Sequence, residues 1–227
     1  MKTVHLSQHE NYFVLELING DNDNTLNLNV LDEWFQAIDQ VQAHIGNTAL
    51  LIHSQHPKTF STGIDLPWLM AQTPATQMQF VQQLENLLLR IATLDLPTVA
   101  AINGNCYAGG ALIASACDYR YMRADKGRFC FPEVTIEKAF TPVMLNIVEL
   151  LPNARAQYTL SISADAWGGD VCEQQGIIDQ ALPMETLYST ALSKTQQLAN
   201  KHRPTLVAHK QHFRQTLFRL AKQRGLI

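Results

Sequence analysis

Charge is scarce in this 227-residue chain: Asp, Glu, Lys and Arg make up 16% of it, against roughly 25% in an average soluble domain. That scarcity implies that more surface than usual is buried, and self-association is the natural reading. Cysteine is sparse too. Cys106, Cys117, Cys130 and Cys172 form no C-x-x-C pair, and two of them sit in apolar runs. Buried, reduced thiols and a reducing compartment are therefore expected. No apolar run approaches the roughly 20 residues of a membrane span. The opening residues MKTVHLSQHENY contain no apolar signal core, and the closing Gly-Leu-Ile is not a peroxisomal tripeptide, so a cytoplasmic protein that neither spans nor binds a membrane is the default expectation. There is no G-x-S-x-G elbow and no P-loop, which removes the usual serine-hydrolase and nucleotide-triphosphate signatures. Internal repeats and low-complexity segments are missing as well.

Acidic residues are absent from Thr186 to Ile227, where Lys194, Lys201, Arg203, Lys210, Arg214, Arg219, Lys222 and Arg224 place a charge of +8. Since the whole chain carries −3, residues 1–185 carry −11. A basic tail on an acidic body fits a solvated face or a subunit contact, with phosphate or nucleic acid as other partners. Lys210 and Arg214 are candidates for a phosphate contact on that basis.

What is present is an alternation of strands and helices. Tyr12 to Ile18 reads as a strand. Val30, Leu31, Trp34, Phe35, Ile38 and Val41 recur at helical spacing over 30–44. A short buried strand follows at 49–53, then a helix over 75–93 stopped by Asp95-Leu96-Pro97. The run Thr98 to Ile102 predicts a strand, and Gly109 to Cys117 a packed helix. A further strand covers 119–122. After Pro142 the chain reads as mostly helical, broken at Trp167-Gly168-Gly169, with Pro204 starting the last helix. This pattern predicts an α/β protein with a largely parallel sheet.

The stretch TVAAINGNCYAGGALIASACDYRY, from Thr98 to Tyr121, carries the most chemistry. Gly109 and Gly110 have no side chains, so a ligand can approach the backbone there. The helix beginning at that point presents unpaired N–H groups and a partial positive charge. Such a site stabilises negative charge developing on an oxygen. Two further features frame it: Phe60-Ser61-Thr62-Gly63-Ile64-Asp65-Leu66, after a probable strand, and Phe131-Pro132-Glu133, downstream of the glycine helix.

In order and spacing, these motifs resemble the crotonase superfamily, the enoyl-CoA hydratases and isomerases. The family's F-[SA]-[AST]-G-x-D-[LI], N-G-x-x-x-[GA]-G-G, C-D and [PN]-E elements are met between Phe60 and Glu133. Gly176-Ile177-Ile178-Asp179 is similar to its G-L-[VI]-D segment. The resemblance implies a spiral of β-β-α units over residues 1–185 and a helical C-terminal region, 186–227, that covers the CoA pocket or mediates assembly. It implies an acyl-CoA substrate, no separate cofactor or metal, no DNA partner, and a homotrimer or dimer of trimers. The N–H groups of Ile64 and Gly109 would form an oxyanion hole, each donor being worth about 3 kcal/mol in the transition state. Thr62, Gly63, Ile64, Asp65 and Leu66 would line the path of CoA, with Leu26 and Asn27 on a second CoA-contacting loop.

Family members that hydrate enoyl thioesters use two glutamates. Here the first of those positions is Leu112, so Glu133 stands alone. One carboxylate suffices to move a proton from C2 to C4 of a 3-enoyl thioester, and the sequence resembles most the family's Δ3,Δ2-enoyl-CoA isomerases, also in C-D-Y-R-Y-M. Phe129, Phe131 and Phe140 supply an apolar setting that would raise the Glu133 pKa towards the working pH. Glu137, four residues on, would share a helical face with Glu133 if that segment is helical, which keeps open a second carboxylate. Hydration, dehydration, another crotonase-type acyl-CoA reaction, and a non-catalytic acyl-CoA- or RNA-binding role are the alternatives. No metal is expected. Asp21 to Asp32 lacks the glycine of a calcium loop, and the pairs His53/His56 and His209/His212 read as surface or capping histidines.

Overall fold

The computed structural model describes residues 2–227, and its architecture is an α/β spiral with two sheets. The larger sheet is built from β1 (Val4–Gln8), β2 (Phe13–Leu17), β3 (Leu50–Ser54), β5 (Thr98–Ile102), β7 (Tyr119–Arg123) and β9 (Gln180–Leu182), in that spatial order. Only the β1–β2 hairpin is antiparallel; every later pairing is parallel. The smaller sheet is parallel throughout and joins β4 (Thr59–Ser61), β6 (Asn105–Tyr107) and β8 (Phe129–Cys130). Each turn of the spiral therefore lays one strand in the large sheet, a short one in the small sheet, and then leaves through helix or turn.

Helices α1 (Leu28–Gln42), α2 (Leu66–Met70), α3 (Pro74–Thr93) and α4 (Gly109–Ala116) follow the early strands. Then come α5 (Pro142–Val148), α6 (Ala154–Ser163), α7 (Gly169–Gln174), α8 (Met184–Ala199), α9 (Arg203–Phe213) and α10 (Gln215–Gln223). Their starts are written locally. Asn27 accepts from the Val30 N–H, Asp65 from Trp68, Thr73 from Thr76 and Thr141 from Met144, each side chain satisfying a backbone donor that the helix leaves open. Strand β5 and helix α4 are buried along their whole lengths, as continuous apolar runs in a two-sided core should be. Among the described residues no helix is long and apolar enough to cross a membrane.

The structure departs from the sequence reading in several places. Between the Asn103-Gly104 turn and α4 it inserts β6, and it adds β1, β4, β8 and β9; of these β4, β6, β8 and β9 have two or three residues, too short for periodicity to register. The C-terminal helical stretch breaks at Arg214 into α9 and α10, so Pro204 opens the penultimate helix. Residues 133–137 are a turn and not a helix; Glu137 sits in the left-handed region with φ of 57° and ends it.

The largest correction concerns the basic tail. Four of its eight cations, Arg203, Lys210, Arg214 and Arg224, dock on acids and carbonyls of the chain's own body. Arg203 pairs with Asp95 at 2.7 Å, and Arg224 with Glu85 at 2.7 Å. Lys210 and Arg214 both reach Asp118, each at 2.9 Å. Lys210 is only 7% exposed, so neither it nor Arg214 is a free phosphate contact. Arg214 also donates to the Ala92 and Ala116 carbonyls, the last of which lies at the end of α4. Asp118 in turn accepts from the Thr98 N–H and hydroxyl at the head of β5. Burial alone would raise the Asp118 pKa, but the two cations outweigh it and hold the carboxyl below its usual range. The four cysteines are free and buried. His53 lies in β3, packed on the Tyr188 ring at 4.8 Å, and burial pulls its pKa down to about 4. It is a core residue, neither surface nor cap.

Candidate active site

The carboxyl ends of the strands open on a cavity of about 650 Å³. Its wall includes Thr62, Ile64 and Leu66 from the loop after β4, Ala108, Gly109 and Leu112 at the start of α4, and Pro132 and Glu133 after β8. The three motifs, separated by up to seventy positions in sequence, thus meet in one space because β4, β6 and β8 are neighbours in the small sheet.

Two residues of this wall, Ile64 and Gly109, sit beside a backbone clamp. Leu26 N–H donates to the Gly63 carbonyl, and Asp65 N–H donates to the Leu26 carbonyl. Ile64 lies between them, and its own N–H is directed away from that ladder. Gly109 is the first residue of α4, where the helix supplies no acceptor. Among the described residues neither the Ile64 N–H nor the Gly109 N–H has a hydrogen-bond partner. The residue before the helix, Ala108, holds φ of 47° and ψ of −119°. That is a costly conformation for a residue with a Cβ, of the sort stored where backbone orientation has a function.

The Glu133 carboxylate shares the wall with these donors. Its Oε2 is buried and has no hydrogen-bond partner. Burial is the main cause that pushes its pKa up to about 7, opposed in part by its own backbone N–H. Phe129, Phe131 and Phe140 form an edge-to-face chain with centroids 5.5 and 5.4 Å apart. None of the three lines the cavity; the apolar groups that share its wall with Glu133 include Ile64, Leu84, Leu112, Ile136 and Met144. Glu137 is exposed and absent from the wall.

Leu26, Asn27, Gly63 and Asp65 also hold structural positions. Leu26 is 1% exposed and its Cδ1 packs where a Gly109 side chain would stand. Asn27 caps α1 and Asp65 caps α2. Gly63, with φ of 83°, lies directly behind the Gly109 backbone. A second carboxylate of the cavity wall, Glu85 of α3, was not singled out by any motif. The only signal for it in sequence is a charge inside the apolar stripe Phe80, Leu84, Leu87, Leu88. Among the described residues no cluster of three His, Cys, Asp or Glu is placed to hold a metal.

A family model described as Enoyl-CoA hydratase/isomerase matches residues 8–226. A human mitochondrial enoyl-CoA delta isomerase 1 is 31% identical over 173 residues, covering 75% of this chain and 57% of that protein. A peroxisomal enoyl-CoA delta isomerase 1 of Arabidopsis thaliana is 28% identical over 178 residues, covering 78% and 73%. The matched chain therefore spans little more than half the length of the human relative. Among solved structures, an apo Mtb enoyl-CoA isomerase superposes with a TM-score of 0.87 over 99% of this chain and 96% of its own, at 23% identity; that likeness bears on the fold.

Proposed function

Because the chain belongs to the enoyl-CoA hydratase/isomerase family, we propose that it shifts the double bond of a 3-enoyl-CoA to the 2-position. The observation that carries this reading is that Glu133, with a buried and unpartnered Oε2, lines the same cavity as the residues of two free backbone donors, Ile64 and Gly109. The thioester oxygen accepts from Ile64 N–H and Gly109 N–H. Glu133 takes the proton from C2, the donors hold the negative charge of the dienolate on oxygen, and Glu133 returns the proton at C4. Its raised pKa suits both halves of that cycle, since a group titrating near neutrality is a competent base and, once protonated, a competent acid. Leu112 supports isomerisation over hydration: it lines the cavity where a water-holding glutamate stands in the hydrating relatives, and a leucine neither binds nor deprotonates water. Proton transfer alone moves the bond, so the reaction consumes no cofactor. Assembly as a homotrimer or pair of trimers belongs to the same proposal, and sedimentation measures it.

Incubation with trans-3-hexenoyl-CoA in deuterated water, followed by mass spectrometry, tests the reaction. A 2-enoyl product of unchanged composition apart from exchanged deuterium is expected. A product heavier by one water would overturn isomerisation in favour of hydration. Unchanged substrate across a range of chain lengths would reject catalysis of this kind.

A further inference from the structure

The cavity wall is graded in exposure. Met78 (73% exposed), Leu66 (37%) and Ile136 (36%) stand at its open side, whereas Leu84, Leu112, Met144 and Glu85, all at 8% or less, are recessed. A carboxylate on the recessed, otherwise aliphatic side is unexpected for a pocket that takes a plain hydrocarbon. Glu85 is held there by Arg224, the residue directly after α10. One guanidinium nitrogen reaches Glu85 Oε2 at 2.7 Å and another reaches Asn86 Oδ1 at 2.9 Å. The second oxygen, Oε1, accepts no hydrogen bond among the described residues. An aliphatic chain end seated against it would strip its water and return nothing, and an ionised carboxylate has only acceptor capacity to offer.

We infer that Glu85, positioned by Arg224, is a specificity-determining residue that selects acyl chains bearing a hydroxyl donor at the end remote from the thioester. The hydroxyl donates to Oε1 in a short, charge-assisted bond. Sites built to hydrogen-bond a substrate group reject the analogue that lacks it far more strongly than apolar pockets sense a missing methylene. This inference rests on the acyl-CoA reading above, but its test does not need turnover.

Saturated acyl-CoA esters, which cannot isomerise, are titrated calorimetrically in matched pairs of four, six and eight carbons, each unsubstituted and with a terminal hydroxyl. The hydroxylated member is expected to bind at least tenfold more tightly at the length that reaches Glu85. In Glu85→Leu that preference should vanish or reverse. Glu85→Gln, which keeps the side-chain volume, should weaken it, and serves if the leucine variant does not fold. Equal or tighter binding of the unsubstituted ester at every length would overturn the inference while leaving the acyl-CoA reading intact. A preference that persists in Glu85→Leu would also overturn it. Failure of every ester to bind would remove both.

Discussion

Gly63 and Gly109 touch backbone to backbone: a Cβ added to Gly63 would stand 2.6 Å from the Gly109 nitrogen and 2.9 Å from the Ala108 Cβ. The two loops that carry the free N–H donors are therefore set against each other by the absence of a side chain. Gly63 also holds φ of 83°, which other residues adopt only with strain. Gly63→Ala should push the loops apart, and displacement of a catalytic group by about 1 Å lowers turnover roughly a hundredfold. Steady-state kinetics with a thermal melt on the same sample checks it. A variant of wild-type activity would show that the donors are not set by this contact.

Glu133→Gln keeps the shape and loses the base. Turnover should fall by roughly 10³-fold or more, while the affinity for a saturated acyl-CoA changes little, since the donors and the apolar wall are retained. Retained turnover would take Glu133 out of the mechanism.

The pH dependence follows from the same side chain. As the free enzyme's base must be ionised, kcat/KM should rise with pH through about 7 and then level off. A rise centred near 4.5, the ordinary glutamate value, would mean that the carboxylate is not desolvated in the free enzyme.

Stability should move the opposite way. The folded Glu133 pKa lies above its unfolded value, so the native state binds the extra proton between about 4.5 and 7 and loses stability as pH rises through that window. Glu133→Gln should accordingly be more stable than the wild type at pH 8, by on the order of 2 kcal/mol given partial solvation, and about equal to it at pH 4. Urea unfolding at the two pH values measures this. An advantage independent of pH would point to packing instead of ionisation.

Asp118 is the anchor on which the C-terminal helices dock. Asp118→Ala leaves Lys210 and Arg214 buried without their anion, a change that typically costs about 3–5 kcal/mol. The depressed pKa sets the sign: the contribution is present above the ordinary aspartate value and is lost only as pH falls below it. Limited proteolysis should cut first between α8 and α10 in this variant. A melting point within a degree or two of the wild type would refute the anchoring role.

Local signals were legible where the physics is local. Strand Thr98–Ile102 appears with the predicted bounds, and α3 and α4 fall within a residue of theirs, because continuous apolar runs, Pro97 and the glycine pair act over a few neighbours. The second sheet was not legible. Its strands have two or three residues, below the length at which alternation means anything, and each is held by partners more than twenty positions away. Whether Glu137 shares a face with Glu133 was open for the converse reason: spacing permits a helix there, but the backbone turns out at Glu137.

The chain's own sequence determined the class of the fold, the glycine-bearing helix start that leaves donors open, and the leucine at 112 in place of an acid beside Glu133. Each of these depends on which groups a residue has or lacks. Tertiary structure alone decided where the charges went. The +8 tail is indistinguishable in sequence from a phosphate-binding face, yet Lys210, Arg214 and Arg224 spend their charge on Asp118 and Glu85 of the same chain. Whether a cation meets water, a ligand or a buried carboxylate is set by distances between segments about a hundred residues apart, and sequence spacing does not encode those distances.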